Sequence, residues 1–346
     1  WSRGLGDVYK RQVYKCQRNG KLGLVNAQDI TLLQCEYSSI KHSGEYVYLV
    51  KNGKNGYAEL KGTDEVKSLI PCIYDKLESY SKDAPMRATY NGKEGMIDGN
   101  NKIIIPFEYS NIGKFYNVGA YNMAWVEQDG KYGIYNIDGT VIQPWDIEKA
   151  YVMNENSGTS YLTFNDFPDP STPYIHIVVN GMTGVLSGKT YKTVIPCKYG
   201  YISPVINERA FYKANNKWGI MDIQNNSIQD AIYDKIKINN NWLSDAFTTE
   251  GIFQDNMYVF IGDKQGMIDK NGKAFIPVKY DSLGVFSENM IVAKCGNLYG
   301  YINSNGEEYI PLKYSHADDF SEGLAAVKNE KGKYLFIDAS GVIVIK

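Results

Sequence analysis

A glycine that recurs inside strand-like segments at spacings of 33 to 51 residues constrains this chain more than any other feature. The clearest copies read Gly266-Met267-Ile268-Asp269, then Ile276-Pro277 and Tyr280, and Gly300-Tyr301-Ile302-Asn303, then Ile310-Pro311 and Tyr314. With that Gly as anchor, the copies start at Gly23, Gly56, Gly95, Gly133, Gly184, Gly219, Gly266 and Gly300, and a ninth has Leu335 in its place. The intervals are 33, 39, 38, 51, 35, 47, 34 and 35 residues. Such a period marks a modular array, because each unit is too small to bury its apolar face except against its neighbours.

Three residues before each anchor stand Gly20, Gly53, Gly92, Gly130, Gly181, Asn216, Asp263, Asn297 and Gly332, all residue types that tolerate positive φ. Pairs such as Asn19-Gly20, Asn52-Gly53, Asn91-Gly92, Asp129-Gly130 and Asn180-Gly181 suit type I′ turns, whose twist matches two antiparallel strands. The anchor therefore falls just inside the second strand of a hairpin. A second turn, opened by Asp98, Asn136, Asp222, Asp269, Asn303 or Asp338, is expected to form through Asx hydrogen bonds. Gly99, Gly139, Gly272, Gly306 and Gly341 lie near its end.

Short apolar segments fill the intervals: Ile291-Val292-Ala293 before the first turn, Trp218-Gly219-Ile220-Met221 between turns, Ile103-Ile104-Ile105 after the second. Pro71, Pro106, Pro144, Pro196, Pro277 and Pro311 are expected to end the third strand, since proline cannot donate to a ladder. No stretch of ten or more residues has helical periodicity. Each unit thus reads as a three-stranded meander followed by an extended connection. The anchor Gly reads as a stacking device, where another backbone or a ring crosses the strand, and not as a ligand site.

The pattern of turn Gly-Lys, aromatic-Gly, apolar-Asp/Asn, turn Gly and later Ile-Pro-x-x-Tyr resembles the bacterial WG (KWG) repeat family over roughly residues 13 to 346. Trp218-Gly219 is the literal Trp-Gly pair, and Tyr132-Gly133 and Tyr299-Gly300 are close substitutes. Leu22, Asn55 and Thr183 replace the aromatic in degenerate copies. The resemblance implies a repetitive β architecture and an interaction role, and it supplies no catalytic residues.

Formal net charge is −2, with acidic and basic residues interspersed, which gives no electrostatic footprint for nucleic acid. No apolar run approaches the roughly 18 residues of a membrane span. Tyrosine is in excess at 29 residues, and seven occupy one slot: Tyr37, Tyr74, Tyr109, Tyr199, Tyr233, Tyr280 and Tyr314. There a ring can be buried between units with its hydroxyl on a backbone partner. Residues 1–12 lack an initiator Met and any repeat register and read as a non-native tail, so localisation stays open between cell envelope and cytoplasm. Lys346 falls where a third strand ends, as in a terminal cap.

The five cysteines suggest no metal or disulfide framework. Cys35, Cys72 and Cys197 share a slot that elsewhere holds Phe107, Trp145, Val278 or Leu312, so they read as small buried hydrophobes. His42, His176 and His316 sit at unrelated repeat positions. The turns at Asp269-Lys270-Asn271-Gly272 and Asn136-Ile137-Asp138-Gly139 lack the twelfth-position Glu of a calcium loop. Two insertions break the period, near 150–175 and 238–256. Because insertions in repeat proteins often emerge on the binding face, Asp166, Phe167, Asp169 and Trp242 become the candidate binding residues.

The sequence therefore predicts an all-β fold: one array over 13–346 of about nine three-stranded meanders stacked as an open solenoid or superhelix, with a β-propeller as the alternative. For function it predicts a non-catalytic scaffold that needs no cofactor and binds a protein partner. A glycan-binding cell-envelope protein using exposed Tyr and Trp is the alternative.

Overall fold

The computed structural model describes residues 13–62, 64–113, 116–118, 121–154, 158–161, 172–238, 241–243, 253 and 255–345. Every regular element among them is a β-strand, gathered into nine small antiparallel sheets, one per repeat, none closed into a barrel. Contacts group the chain into two compact bodies, 1–150 with 162–173 and 188–192, and 151–161 with 174–187 and 193–346. The division falls at the first insertion.

The eighth repeat shows the plan. Its sheet is ordered Ser282–Leu283, Met290–Cys295, Leu298–Asn303, Glu308–Tyr314. The last three strands are the expected meander. The first is drawn from the connection after Tyr280 and pairs Ser282 with Lys294 and Leu283 with Ala293. A two-residue strand has no periodicity to betray it, but it satisfies backbone groups on the hairpin's outer edge that would otherwise lie open. Five sheets have four strands and the first has three. The fourth, fifth and seventh have five. In the fifth and seventh, Gly158–Tyr161 and Asn241–Trp242 extend the sheet, so the insertions partly continue the β-structure.

The hairpin turns divide by chemistry. Asn19-Gly20, Asn52-Gly53, Asn91-Gly92, Asp129-Gly130, Asn180-Gly181 and Asn215-Asn216 have positive φ at both central residues, as type I′ requires. In the ninth repeat the loop is longer, with Gly332 at positive φ and Asn329 Oδ1 accepting the Lys331 and Lys333 amides; in the seventh and eighth, Gly262 and Gly296 take positive φ and Asp263 and Asn297 do not. Those are type II′ turns, with the glycine one position earlier than predicted. In the second turns, Asp269 Oδ1 accepts from the amides of Asn271 and Lys273 at 2.9 and 2.8 Å, and Asp98, Asn303 and Asp338 do likewise. Asn136 departs from this: its Oδ1 lies 3.4 Å from the amide of Asn122, and Asp138 takes over the turn amide of Thr140.

Why the anchor is glycine follows from the third strand. Gln265 pairs with Tyr280 but Met267 with Ile276, so the single residue Gly266 opposes three, 277–279, on the other strand. The surplus forms a bulge that folds over Gly266. A Cβ there would lie 2.6 Å from the Ile276 carbonyl oxygen and 2.8 Å from the Val278 amide. At Gly300 the corresponding distances are 2.5 Å to Ile310 O and 2.8 Å to Leu312 N. The bulge also corrects the reading of the prolines. Pro71, Pro106, Pro144, Pro196, Pro277 and Pro311 lie inside third strands, at the bulge, where no ladder amide is required. Cys35, Cys72 and Cys197 occupy this bulge and are half-buried, because it arches away from the core.

Coupling between repeats is polar as well as apolar. Tyr74, Tyr109, Tyr233, Tyr280 and Tyr314 are buried. Where hydroxyl partners are resolved they are side chains of the next repeat, not backbone: Tyr74 donates to Asn101 Oδ1 and Tyr199 to Asn225 Oδ1, each at 2.6 Å, and the Tyr109 and Tyr135 hydroxyls meet at 2.7 Å. The residue after the tyrosine reaches the next hairpin. Asp75, Asp234 and Asp281 pair with Lys54, Lys217 and Lys264 of their own repeats, while their second oxygens accept the turn amides of Gly92, Gly262 and Gly296. The ammonium first, then the turn amide, holds each of these carboxyls below the usual range. Ser38, Ser110 and Ser315 fill the same slot and donate to Val50, Glu127 and Lys328 carbonyls.

Two outcomes follow. Gly300→Ala should lower stability by roughly 2–4 kcal/mol in urea unfolding, because the opposing atoms are backbone and cannot rotate away. His176 is fully buried, stacked on Tyr151 at 5.3 Å, and donates from Nε2 to the Ser203 carbonyl at 3.0 Å, while Nδ1 has no hydrogen-bond partner among the described residues. Burial pushes its pKa down from 6.5 to about 4, only partly opposed by the Ser203 bond. Below pH 6.5 the unfolded chain binds a proton that the folded one refuses. Stability should therefore fall by on the order of 1 kcal/mol per pH unit between about 6.5 and 4. Urea midpoints of wild type and His176→Leu across that range check this, since the variant loses the histidine's share of the slope and keeps only that of the carboxylates.

Candidate functional site

The first body carries a groove of about 580 Å³ formed by the second repeat with its neighbours. It exists because the bulge at Ile70, Pro71 and Cys72 arches over Gly56 while the hairpin tips at Asn52 and Asn91 stand beside it. Its deep lining is apolar, with Leu49 and Ile70 buried. Tyr37 is half-buried, and Ile73 and Tyr90 are exposed at 40% and 39%. Tyr90 is steadied edge-on by Tyr74 and Phe107 at 6.1 and 5.8 Å.

The polar lining is close to neutral. Lys51 Nζ lies 2.8 Å from Glu36 Oε2, and Lys54 is held by Asp75, so neither ammonium is available to bind an anion alone. Ser68, Asn52 and Asn91 also line the groove, and their side chains make no hydrogen bond within the described residues. The Cys72 thiol points to the Leu49 carbonyl at 3.7 Å, and burial pushes its pKa up, which suppresses the thiolate. Burial likewise raises the Tyr37 hydroxyl. The groove thus presents an apolar cleft with a few amide and hydroxyl groups at its rim, the composition of a recognition site.

Of the residues proposed from sequence, Trp242 belongs to the seventh sheet and does not line the groove. Asp166, Phe167 and Asp169 fall outside the described residues. Trp242 is half exposed, its ring 5.0 Å from Phe260 with the Lys235 ammonium 5.5 Å above it. The groove residues were missed for identifiable reasons. Tyr37 sits in the slot read as structural, and the position of Tyr90 holds Arg18, Lys51 and Gln128 in other repeats, so no recurring aromatic marks it. Its position immediately before Asn91-Gly92, at a hairpin tip, was the available signal. The three histidines stand in different sheets.

Comparison with curated proteins finds no match. Among solved structures, the chain is similar to an extracellular domain of BT3049 from B. thetaiotaomicron at 10% identity and a TM-score of 0.23, covering 96% of this chain and 56% of that one. It is similar to PorZ, described as a bacterial surface component of the type-IX secretion system of Porphyromonas gingivalis, at 12% identity and a TM-score of 0.22, covering 98% and 51%. BamB from Moraxella catarrhalis follows at 10% and 0.21, covering 86% and 92%. The chain spans about half the length of the first and second of these, and likeness at this level bears on no functional question. The repeat itself is more informative. Residues 95–132, 189–218, 266–299 and 299–334 match the family profile described as the WG containing repeat. Two of these segments begin on the anchors Gly95 and Gly266 and span one period each. The chain is a WG-repeat-containing protein.

Proposed function

We propose that this chain is a non-catalytic scaffold that binds a protein partner, with the groove of the second repeat receiving a short extended peptide segment. The observation that carries this reading is the groove's chemistry. It joins an apolar cleft to unpaired amide and hydroxyl groups and has both cationic side chains already neutralised. A peptide supplies the matching set, apolar side chains with backbone donors and acceptors, and needs no net charge. An acid–base or nucleophilic role finds little support there, because the one thiol is held protonated by burial.

A glycan reading draws on the Tyr37 and Tyr90 rings. Against it, among the described residues the exposed large aromatics Tyr90, Tyr161, Trp242, Tyr309, Tyr334 and Phe336 fall in five different sheets and form no row of stacking platforms within one.

Quantitative affinity capture with immobilised wild type and a Tyr90→Ala/Ile73→Asp variant, both verified as folded by circular dichroism, tests the proposal. The expected result is a partner protein retained by wild type and bound at least about tenfold more weakly by the variant, as for loss of an aromatic anchor. Equal retention by both proteins would remove the groove from the account. Binding on a glycan array that disappears with Tyr90→Ala would favour the glycan reading.

A further inference from the structure

In the first, second, third, seventh and eighth repeats three positions converge: the anchor glycine, the residue facing it on the first hairpin strand, and the bulge residue folded over it. In the second, third, seventh and eighth repeats the outer two are Leu49 and Cys72, Ala88 and Phe107, Val259 and Val278, Ala293 and Leu312. In the first repeat both are cysteines. Cys16 is registered opposite Gly23, and a Cβ on Gly23 would lie 3.0 Å from Cys35 Sγ. The vacancy left by the missing side chain lets the two sulfurs approach to 3.4 Å across a separation of 19 residues. Both are free thiols, Cys16 buried and Cys35 half-buried.

We propose that Cys16 and Cys35 form an oxidation site, at which a low-molecular-weight disulfide such as oxidised glutathione closes a cross-link between the first and third strands of the first repeat. The accessible Cys35 thiolate attacks one glutathione sulfur. The glutathione S–S bond breaks and one glutathione thiolate leaves. Cys16 then loses its proton, and its sulfur attacks the Cys35 sulfur of the mixed disulfide. The Cys16–Cys35 bond forms and the second glutathione thiolate departs. Two protein thiols are oxidised and one glutathione disulfide is reduced to two thiols, with the protein's two protons passing through solvent to the departing thiolates. Burial, reinforced by Cys35, pushes the Cys16 thiol up to about 11, which makes the second step the slower one. Closure shortens the sulfur separation to about 2.05 Å, with the bulge carrying Cys35 as the mobile partner.

The test incubates the folded, full-length chain in glutathione buffers of graded oxidised-to-reduced ratio, then quenches in acid, unfolds, alkylates and maps the peptides by mass spectrometry. The expected result is loss of two hydrogens from the joined Cys16 and Cys35 peptides, while Cys72, Cys197 and Cys295 remain alkylated. The link should form at a ratio at least about tenfold lower than in the same chain held in urea, because the fold has brought the sulfurs together. Cys16→Ser should stop the reaction at glutathionylated Cys35, and Cys35→Ser should leave Cys16 unmodified. Two fully alkylatable cysteines at every ratio, or a persistent glutathione adduct on wild-type Cys35, would overturn the proposal.

Discussion

The contact on which the rest of the architecture depends is the one between the anchor glycine and the bulge of its own third strand. A carbonyl lying 2.5 or 2.6 Å from where a Cβ would stand leaves no room for any other residue at Gly266 or Gly300. Because the glycine accepts that crossing, the third strand can carry its surplus residues and still return to register at the tyrosine. The proline inside the bulge follows from the same geometry, since its missing amide lies where the ladder is already broken. In the ninth repeat Leu335 takes the place of the glycine.

With the third strand so placed, its last residue and the one after it face the next hairpin. At Tyr74, Tyr109 and Tyr199 the ring is buried and its hydroxyl meets the following repeat. The Asp or Ser behind it fastens the hairpin turn through a backbone group, whose position does not depend on which side chains the next repeat carries. Ion pairs this exposed contribute little stability by themselves. Their repetition at Asp75, Asp234 and Asp281 instead fixes the register of each repeat on the next.

The sequence made the period, the two turns and the meander legible, because each is written in residues with one dominant conformational consequence, such as Asn-Gly at a type I′ turn. It concealed the fourth strand, since two residues such as Ser282 and Leu283 carry no pattern. It misplaced the prolines, because a bulge is a property of two strands together and only one of them contains the proline. The groove was hidden for a related reason. Its wall combines a tyrosine from the repeat slot with Tyr90 from outside it, and only the folded arrangement of three repeats makes them neighbours. The insertions drew attention by length alone, yet part of each is ordinary hairpin.

A scaffold of this kind separates the roles of its residues. Glycine and the turn backbone set the framework of the repeats, while side chains on the bulges and beside the hairpin tips differ from copy to copy, and the groove is lined by such side chains as Cys72, Ile73 and Tyr90. The central claim is that every repeat depends on its own glycine contact and couples mainly to the repeats beside it. Hydrogen exchange on Gly266→Val, resolved by peptide, tests it most directly. The account predicts that protection falls in the seventh sheet and at its junctions with the sixth and eighth, with the sheets of residues 13–147 unchanged. A uniform loss of protection along all nine sheets would contradict it.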